Sequence, residues 1–476
     1  MPKLIFLLFF LPFSAFAQEV TFSDDFPIKQ DIAYYLIDNM EDSFVLFRDI
    51  PRDRKIHVMD DKMMSAGEVP LEFQFKNPRI LDVVRARDNQ FSVIYTAKKK
   101  GTKYLRIENF DKFGILKDTL TIESSSGMIE MPKYEIEKSD DESMVLVYNV
   151  KYDKSIRASL VDIKNLKVIW SQHFEDIPIE NLFQIKQYVV GNDGSFCLVL
   201  LKDNSSLKRD KARFELYTYQ IKTKKLVVQL VPLEGKLSAE CLFKFDNLNR
   251  SILAGGLYAE KNTIKAQGYY YLKVPQNSTA NTAEYKLEFT RFEPDFLKEY
   301  SSRKNVNENS GIISTQIRDL VLRNDGGMLL VGEKIELKSR NSINGPISRD
   351  PLMATKADYY FDQLFMASIH PTGKQHWINV FQKNQYSFDD GGIYSSYFVF
   401  VGKQGLHLMF NDEVRNQSTI SDFLIQGDGE YKRRAIINTV GLDIRMRIRD
   451  ALQVGANEIV VPSQYRNKLK MVKFSF

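Results

Sequence analysis

The sequence is poor in the residues that most often announce chemistry. It has two cysteines, Cys197 and Cys241, and five histidines in 476 residues. No CxxC pair occurs, and no Cys/His spacing suits zinc. His57, His173, His370, His376 and His407 are scattered, with no HExxH. The GxSxG and phosphate-loop patterns are also missing. A zinc protease, an α/β-type serine hydrolase and a P-loop enzyme therefore have no anchor. Charge of one sign is not in excess: 66 Lys and Arg stand against 61 Asp and Glu, for a net +5. A nucleic-acid partner is not expected on that balance, and Lys98-Lys99-Lys100 reads as a solvated hairpin tip. Helical periodicity is scarce. After the first residues, no apolar run is long enough for a transmembrane helix.

The first residues are different. Met1-Pro2-Lys3 leads into Leu4-Ile5-Phe6-Leu7-Leu8-Phe9-Phe10-Leu11-Pro12-Phe13 and closes on Ser14-Ala15-Phe16-Ala17. A positive start, a short apolar core and Ala-x-Ala describe a bacterial-type signal peptide over 1–17, cut before Gln18. The core is too short to span a bilayer, and no cysteine follows it to carry a lipid. The mature chain, 18–476, is expected in the periplasm or outside the cell, as a monomer. In that oxidising setting Cys197 and Cys241, both in apolar strand-like stretches, could pair or stay as two buried thiols.

What fills the chain is β-branched and aromatic runs broken by Asn, Asp, Gly and Ser. One pattern returns: a strand, a polar turn, a very apolar strand, a charged hairpin and two more strands. The apolar second strand recurs as Ser43–Phe47, Phe91–Tyr95, Ser143–Tyr148, Ser195–Leu200, Ser251–Ala254, Gly327–Val331, Gly405–Phe410 and Glu458–Val461. Turns rich in Asn, Asp and Gly precede it, among them Asp88-Asn89, Asn192-Asp193-Gly194 and Asn324-Asp325-Gly326, suiting residues that tolerate positive φ. Trp170 and Trp377 occupy one position of the repeat and read as packing residues.

Four strands recurring about every 50 residues mark a β-propeller. Eight units begin near residues 31, 80, 132, 185, 240, 316, 394 and 445; seven remain if one is misdrawn. The last unit shows only three strands, and Glu19-Val20-Thr21-Phe22 is expected to close the ring as its fourth. Stretches such as Val145–Val147 and Leu198–Leu201 are continuously apolar, as strands covered on both faces are. That pattern argues against an outer-membrane barrel, whose strands alternate, although the ending Met471–Phe476 resembles one.

The chain thus resembles the β-propeller superfamily along the whole of its mature length. It lacks the Gly-His and Trp-Asp marks of WD40 blades and has no kelch motif. The stretch from Trp377 to Asp412, with Asp389-Asp390-Gly391-Gly392 and Tyr394-Ser395-Ser396-Tyr397, is similar to uncharacterised exported propeller-like proteins of Bacteroidota. That resemblance implies a fold and no activity.

Three places could bind a ligand. Innermost strands line a propeller's channel, and three are expected to begin alike: Arg79 to Asp82, Ile317-Arg318-Asp319 and Ile448-Arg449-Asp450. Convergent Arg and Asp there would suit a charged or sugar ligand or a cation. Asp82, Asp319 and Asp450 could also supply a glycosidase's carboxylate pair, about 5 Å apart for retention or 6.5–9.5 Å for inversion. The same residues would serve equally as structural pairs between blades. The second place is a long insertion over 333–360, carrying Tyr359 and Tyr360; long loops on rigid scaffolds are often functional. The third groups Asp389, Asp390, Asn411 and Asp412, oxygen donors that suit Ca2+, in a pattern that equally makes a tight polar turn. Together these features describe an exported binding or interaction protein for a protein or glycan. The alternative is a propeller enzyme that acts on polysaccharide.

Overall fold

The most apolar strands of the sequence are the most enclosed in the fold. Phe196–Lys202 and Ser251–Ala259 are buried at every residue. A strand buried on both faces needs a neighbouring sheet on each side, and this requirement organises the molecule. In a computed structural model of the chain, residues 19–28, 30–40, 43–86, 89–126, 132–276, 284–301, 305–307, 309–340, 357–415 and 419–476 are described. The expected signal peptide and residues 341–356 of the insertion lie outside the described residues.

Eight four-stranded antiparallel sheets stand as blades in a ring, so the fold is an eight-bladed β-propeller. The innermost strands are Ala33–Asn39, Arg79–Arg85, Glu135–Lys138, Ile185–Val190, Leu237–Asp246, Thr315–Leu322, Tyr397–Gly402 and Leu452–Gly455, for blades 1 to 8. Seven of the repeat boundaries read from the sequence fall within three residues of these starts, and the eighth, near 445, falls seven residues before Leu452. Blade 8 is closed as expected, because Glu19–Phe22 pairs with Lys468–Ser475, Val20 opposite Phe474.

Among the described residues the core is divided between the blades. Eight apolar clusters lie one between each pair of neighbouring blades. Leu198 and Leu200 of blade 4 pack on Leu146 and Leu160 of blade 3. Val460, Leu469 and Met471 of blade 8 pack on Phe44, Leu46 and Met59 of blade 1 and so complete the circle. Trp170 packs between blades 3 and 4. Trp377, in the equivalent outer strand of blade 6, packs towards blade 7 and donates from Nε1 to the Gly427 carbonyl (3.0 Å). Cys197 lies in the blade 4/5 cluster with Cys241 against it, and both are free thiols. Burial pushes each thiol up to about 12, which leaves both protonated and inert.

Antiparallel order gives the ring two unlike faces. The connection into each innermost strand and the hairpin between second and third strands lie on one face, here the upper. The other hairpins lie on the lower face, where turn asparagines tie blades together. Asn192 N–H donates to Asn247 Oδ1 (2.9 Å), and Lys403 N–H donates to Asn457 Oδ1 (2.8 Å). Left-handed backbone in these turns falls instead on Asn89, Gly194 and Gly326. Asp193 and Asp325 accept from the N–H two residues on (2.9 Å each).

The expectation for Ile448-Arg449-Asp450 is corrected. These residues do not begin an innermost strand but form a 3-10 turn before it. Pro462, in the facing strand, has no N–H to donate. Its carbonyl accepts from Arg447 (2.8 Å), and beyond that bond the ladder breaks until Leu452 meets Val460.

Candidate functional site: the upper mouth of the channel

The innermost strands of blades 2, 4, 5 and 6 each carry a bulge near their start. A bulge re-aims the residues around it. The residues just after it are Asp82, Gln187, Glu240 and Asp319, and each reaches towards the next blade. Gln187 bonds both the N–H and the carbonyl of Phe243 (2.8 and 2.9 Å). Glu240 accepts from the Ile317 N–H. Asp82 faces Lys138 (4.0 Å), and Asp319 lies beside the Tyr397 hydroxyl and Lys244. Burial raises the carboxyls of Asp82 and Asp319, while Lys138 opposes the shift at the first and Tyr397 and Lys244 at the second. Both predicted aspartates thus sit in stitches between blades.

The three carboxylates of the glycosidase alternative face separate neighbours. Asp450 pairs with Arg447 (2.5 Å) on blade 8, while Asp82 and Asp319 belong to blades 2 and 6. Arg79 is exposed at the start of blade 2.

Arg318 and Arg449 are brought together. Both flank Glu333, a fully buried residue on the second strand of blade 6. Glu333 is held by Lys383, equally enclosed (2.7 Å), and by the Ser396 hydroxyl (2.5 Å). Lys383 also donates to the carbonyl of Phe361 (2.8 Å) and to Gln385 Oε1 (3.0 Å). Burial lowers its amine, and Glu333 opposes that shift. Ser396 adopts left-handed backbone (φ 79°), a strain that persists where surrounding bonds fix it. Arg449 donates to the Gly392 carbonyl (2.7 Å) and lies over the Phe361 ring (5.6 Å). Burial lowers its guanidinium, and the like charge of Arg318 adds to the effect. Sequence reasoning did not bring Glu333, Lys383 and Ser396 together, because Glu333 lies on the second strand of blade 6 while Lys383 and Ser396 lie in the irregular connection to blade 7. The alternating Arg445, Arg447 and Arg449 were the available signal.

Beside this cluster, between blades 8 and 1, a cleft of about 510 Å3 is lined by Asp31, Tyr34, Leu36, Arg447, Asp450 and Gln464. Asp31 is bound there by Arg48 (2.6 Å).

The described part of the insertion extends two strands of blade 6, Met328–Ser339 and Ala357–Ile369, above the ring, and Gln385–Phe388 adds a third. Tyr359 packs inward with Ile335, Ala357 and Phe361. Tyr360 faces the other way, against Tyr386 (5.0 Å) and beneath Lys338 (4.6 Å). The two tyrosines therefore do not form one platform.

The proposed calcium donors do not converge. Asp389 pairs with Arg340 (2.6 Å), and Asp390 accepts from Ser387 and Gly392. Asn411 donates to the carbonyls of Tyr394 and Met446, while Asp412 pairs with Arg433 (2.7 Å). Among the described residues, no three His, Cys, Asp or Glu side chains are grouped to hold a metal ion.

Among the described residues, no helix is long and apolar enough to cross a membrane. No family model matches the sequence, and no curated protein matches it. Solved structures similar to the chain include Sqt1 of Saccharomyces cerevisiae, at 9% identity over 94% of this chain and 97% of that one, with a TM-score of 0.42. A β-propeller domain of the Trilobed protease from Pyrococcus furiosus matches at 10% identity over 84% and 95%, with a TM-score of 0.36. A member of the DUF4221 family from Bacteroides vulgatus matches at 8% identity over 96% and 98%, with a TM-score of 0.32. At these identities the likeness concerns the fold alone.

Proposed function

We propose that this chain is an exported, single-domain propeller, mature from 18 to 476, that binds a protein or glycan ligand on its upper face. Export rests on the pattern of residues 1–17. The binding reading is carried by one observation. The four most exposed large apolar side chains among the described residues are Tyr152, Leu207, Phe183 and Ile264 (104, 98, 82 and 76% exposed). All four rise from upper-face loops of three successive blades, 3 to 5. Those loops are tied together: Lys154 donates to the Glu180 carbonyl, Ser206 to that of Lys261 (2.7 Å) and Arg209 to that of Glu260 (3.1 Å). Single exposed apolar residues are ordinary; a set of them on cross-linked loops suits an interaction surface.

The test is a glycan array and a parallel interaction screen with the mature protein. A variant with serine at Tyr152, Phe183, Leu207 and Ile264 serves as control. The expected result is a ligand bound by the natural chain and lost by the variant. Equal binding by both would overturn the reading.

Catalysis on polysaccharide has one observation in its favour, the raised carboxyl of Asp319 near Glu333. Glu333 is enclosed and committed to Lys383, which leaves it no access to a substrate. Alanine at Asp82, Asp319 and Asp450 together is expected to leave binding intact, with no sugar hydrolysis to lose.

A further inference from the structure

We infer that Arg318 and Arg449 form a receptor for an oxyanion, the carboxylate, sulfate or phosphate group of a ligand, at the upper mouth of the channel between blades 6 and 8. The inference deepens the binding reading above by naming the chemistry of one contact, and it rests on that reading for the upper face as the docking side.

Positive charge outnumbers negative at this mouth. Three cations, Arg318, Lys383 and Arg449, surround one carboxylate, Glu333. Lys383 takes Glu333 at 2.7 Å, and Arg318 reaches it only at 4.0 Å. Lys383 and Arg449 share the Phe361 ring, at 5.8 and 5.6 Å. The other acids nearby are shared, since Arg318 also lies beside Asp319 and Arg449 beside Asp450. Asp362 is with Lys334 (3.2 Å), Asp450 with Arg447 (2.5 Å), and Asp319 is next to Lys244 on blade 5. Six cations, Lys244, Arg318, Lys334, Lys383, Arg447 and Arg449, thus face four carboxylates, Asp319, Glu333, Asp362 and Asp450, so two positive charges stand in excess.

They are not free to turn away. Arg449 is fixed by its bond to the Gly392 carbonyl and by Phe361 beneath it. That carbonyl can come so close because Gly392 has left-handed backbone (φ 65°), and a side chain there would strike Phe361 at 2.9 Å. Arg318 keeps 31% of its side chain exposed, so its remaining donors are open to the mouth. Like charges held together in partial burial are costly until an anion arrives. Guanidinium forks suit carboxylate, sulfate and phosphate groups, two of whose oxygens they can bond at once.

The experiment compares the natural chain with Arg318→Gln, Arg449→Gln and the double variant. Melting is followed in sodium sulfate, sodium phosphate and sodium chloride at equal ionic strength, and sulfate affinity is measured by calorimetry. The expected result is that sulfate or phosphate stabilises the natural chain beyond chloride by more than it stabilises the double variant, whose response measures the general effect of these salts on burial. Each single variant should lose about tenfold or more in sulfate affinity, the loss expected for a hydrogen bond to a charged group. Each should melt no lower than the natural chain in chloride, because a repulsion has been removed. Competition against sulfate by a galacturonic acid oligomer and by a glutamate-rich peptide then identifies which carrier brings the group. Equal effects of sulfate and chloride on the natural chain, or a double variant that responds to sulfate as strongly as the natural chain, would overturn the inference. If these ions fail while the serine variant of the upper rim loses an array ligand, the oxyanion inference falls and the binding reading stands. If no ligand depends on the upper rim, the reading falls.

Discussion

His57 shows how a single side chain couples burial to pH. It is enclosed in blade 1, with Phe26 edge-on to its ring (4.6 Å). Arg48 Nη1 lies 3.0 Å from His57 Nε2, and an arginine can only donate. Nε2 must therefore be the acceptor, and the ring is neutral with its proton on Nδ1, towards Glu68 (3.4 Å). Burial lowers the imidazole to about 4; Glu68 works against that shift and Arg48 with it. The ordinary value is about 6.5, so the unfolded chain takes up a proton first as pH falls. Stability is therefore fully present above that value and lost on the way down to about 4. The expected loss from His57 by pH 5 is about 2 kcal/mol. Urea unfolding at pH 7 and pH 5 should show this loss in the natural chain and a smaller one in His57→Gln. Equal losses in both would remove His57 as the cause. None of this was legible from the sequence, where His57 is one of five scattered histidines. Its chemistry comes from Arg48 and Glu68, which only strand pairing brings to it.

At the scale of the element, the bulged innermost strand is the device that matters. The bulge turns a polar residue from its own ladder towards the next blade, so that one side chain joins two sheets. Gln187 does this most completely, because its amide satisfies both polar groups of Phe243. Gln187→Ala would leave that N–H and carbonyl without partners, at a cost of about 1–3 kcal/mol. Denaturant unfolding of this variant measures the cost. A change within a few tenths of a kcal/mol would show that solvent replaces the bond. The elements themselves were readable, because their second strands are uninterrupted apolar runs. The break in blade 8 was not read, although Pro462 stands in the sequence. A proline's effect on a ladder depends on which side its missing N–H faces. The acids at the strand starts were also visible. Their role was not, because Lys138 and Tyr397 meet them from a different repeat.

For the whole molecule, closure of the ring follows from the wedge-like cores. Each blade presents two apolar faces, and only a circle leaves none uncovered. The repeat period, the doubly covered strands and the extra strand at Glu19–Phe22, which pairs with the last strand, carried this into the sequence reading. The asymmetry of the two faces was not carried there. The described lower-face turns between first and second strands are short, and several are bonded to a neighbour, whereas the upper face carries the clustered arginines and the protruding loops of blades 3 to 5. Repetition determines the scaffold, and departures from it make the site, which is why a reading built on the repeat found the first and only part of the second.

The most direct test asks which face meets a ligand. A photo-crosslinking residue is placed singly at Phe183 and Leu207 on the upper face, and at Phe113 and Leu248 on the lower. The chains are irradiated in the cells that make the protein. Adducts at both upper positions with none at the lower ones is the predicted result; adducts at the lower positions alone, or equally at all four, would contradict the account.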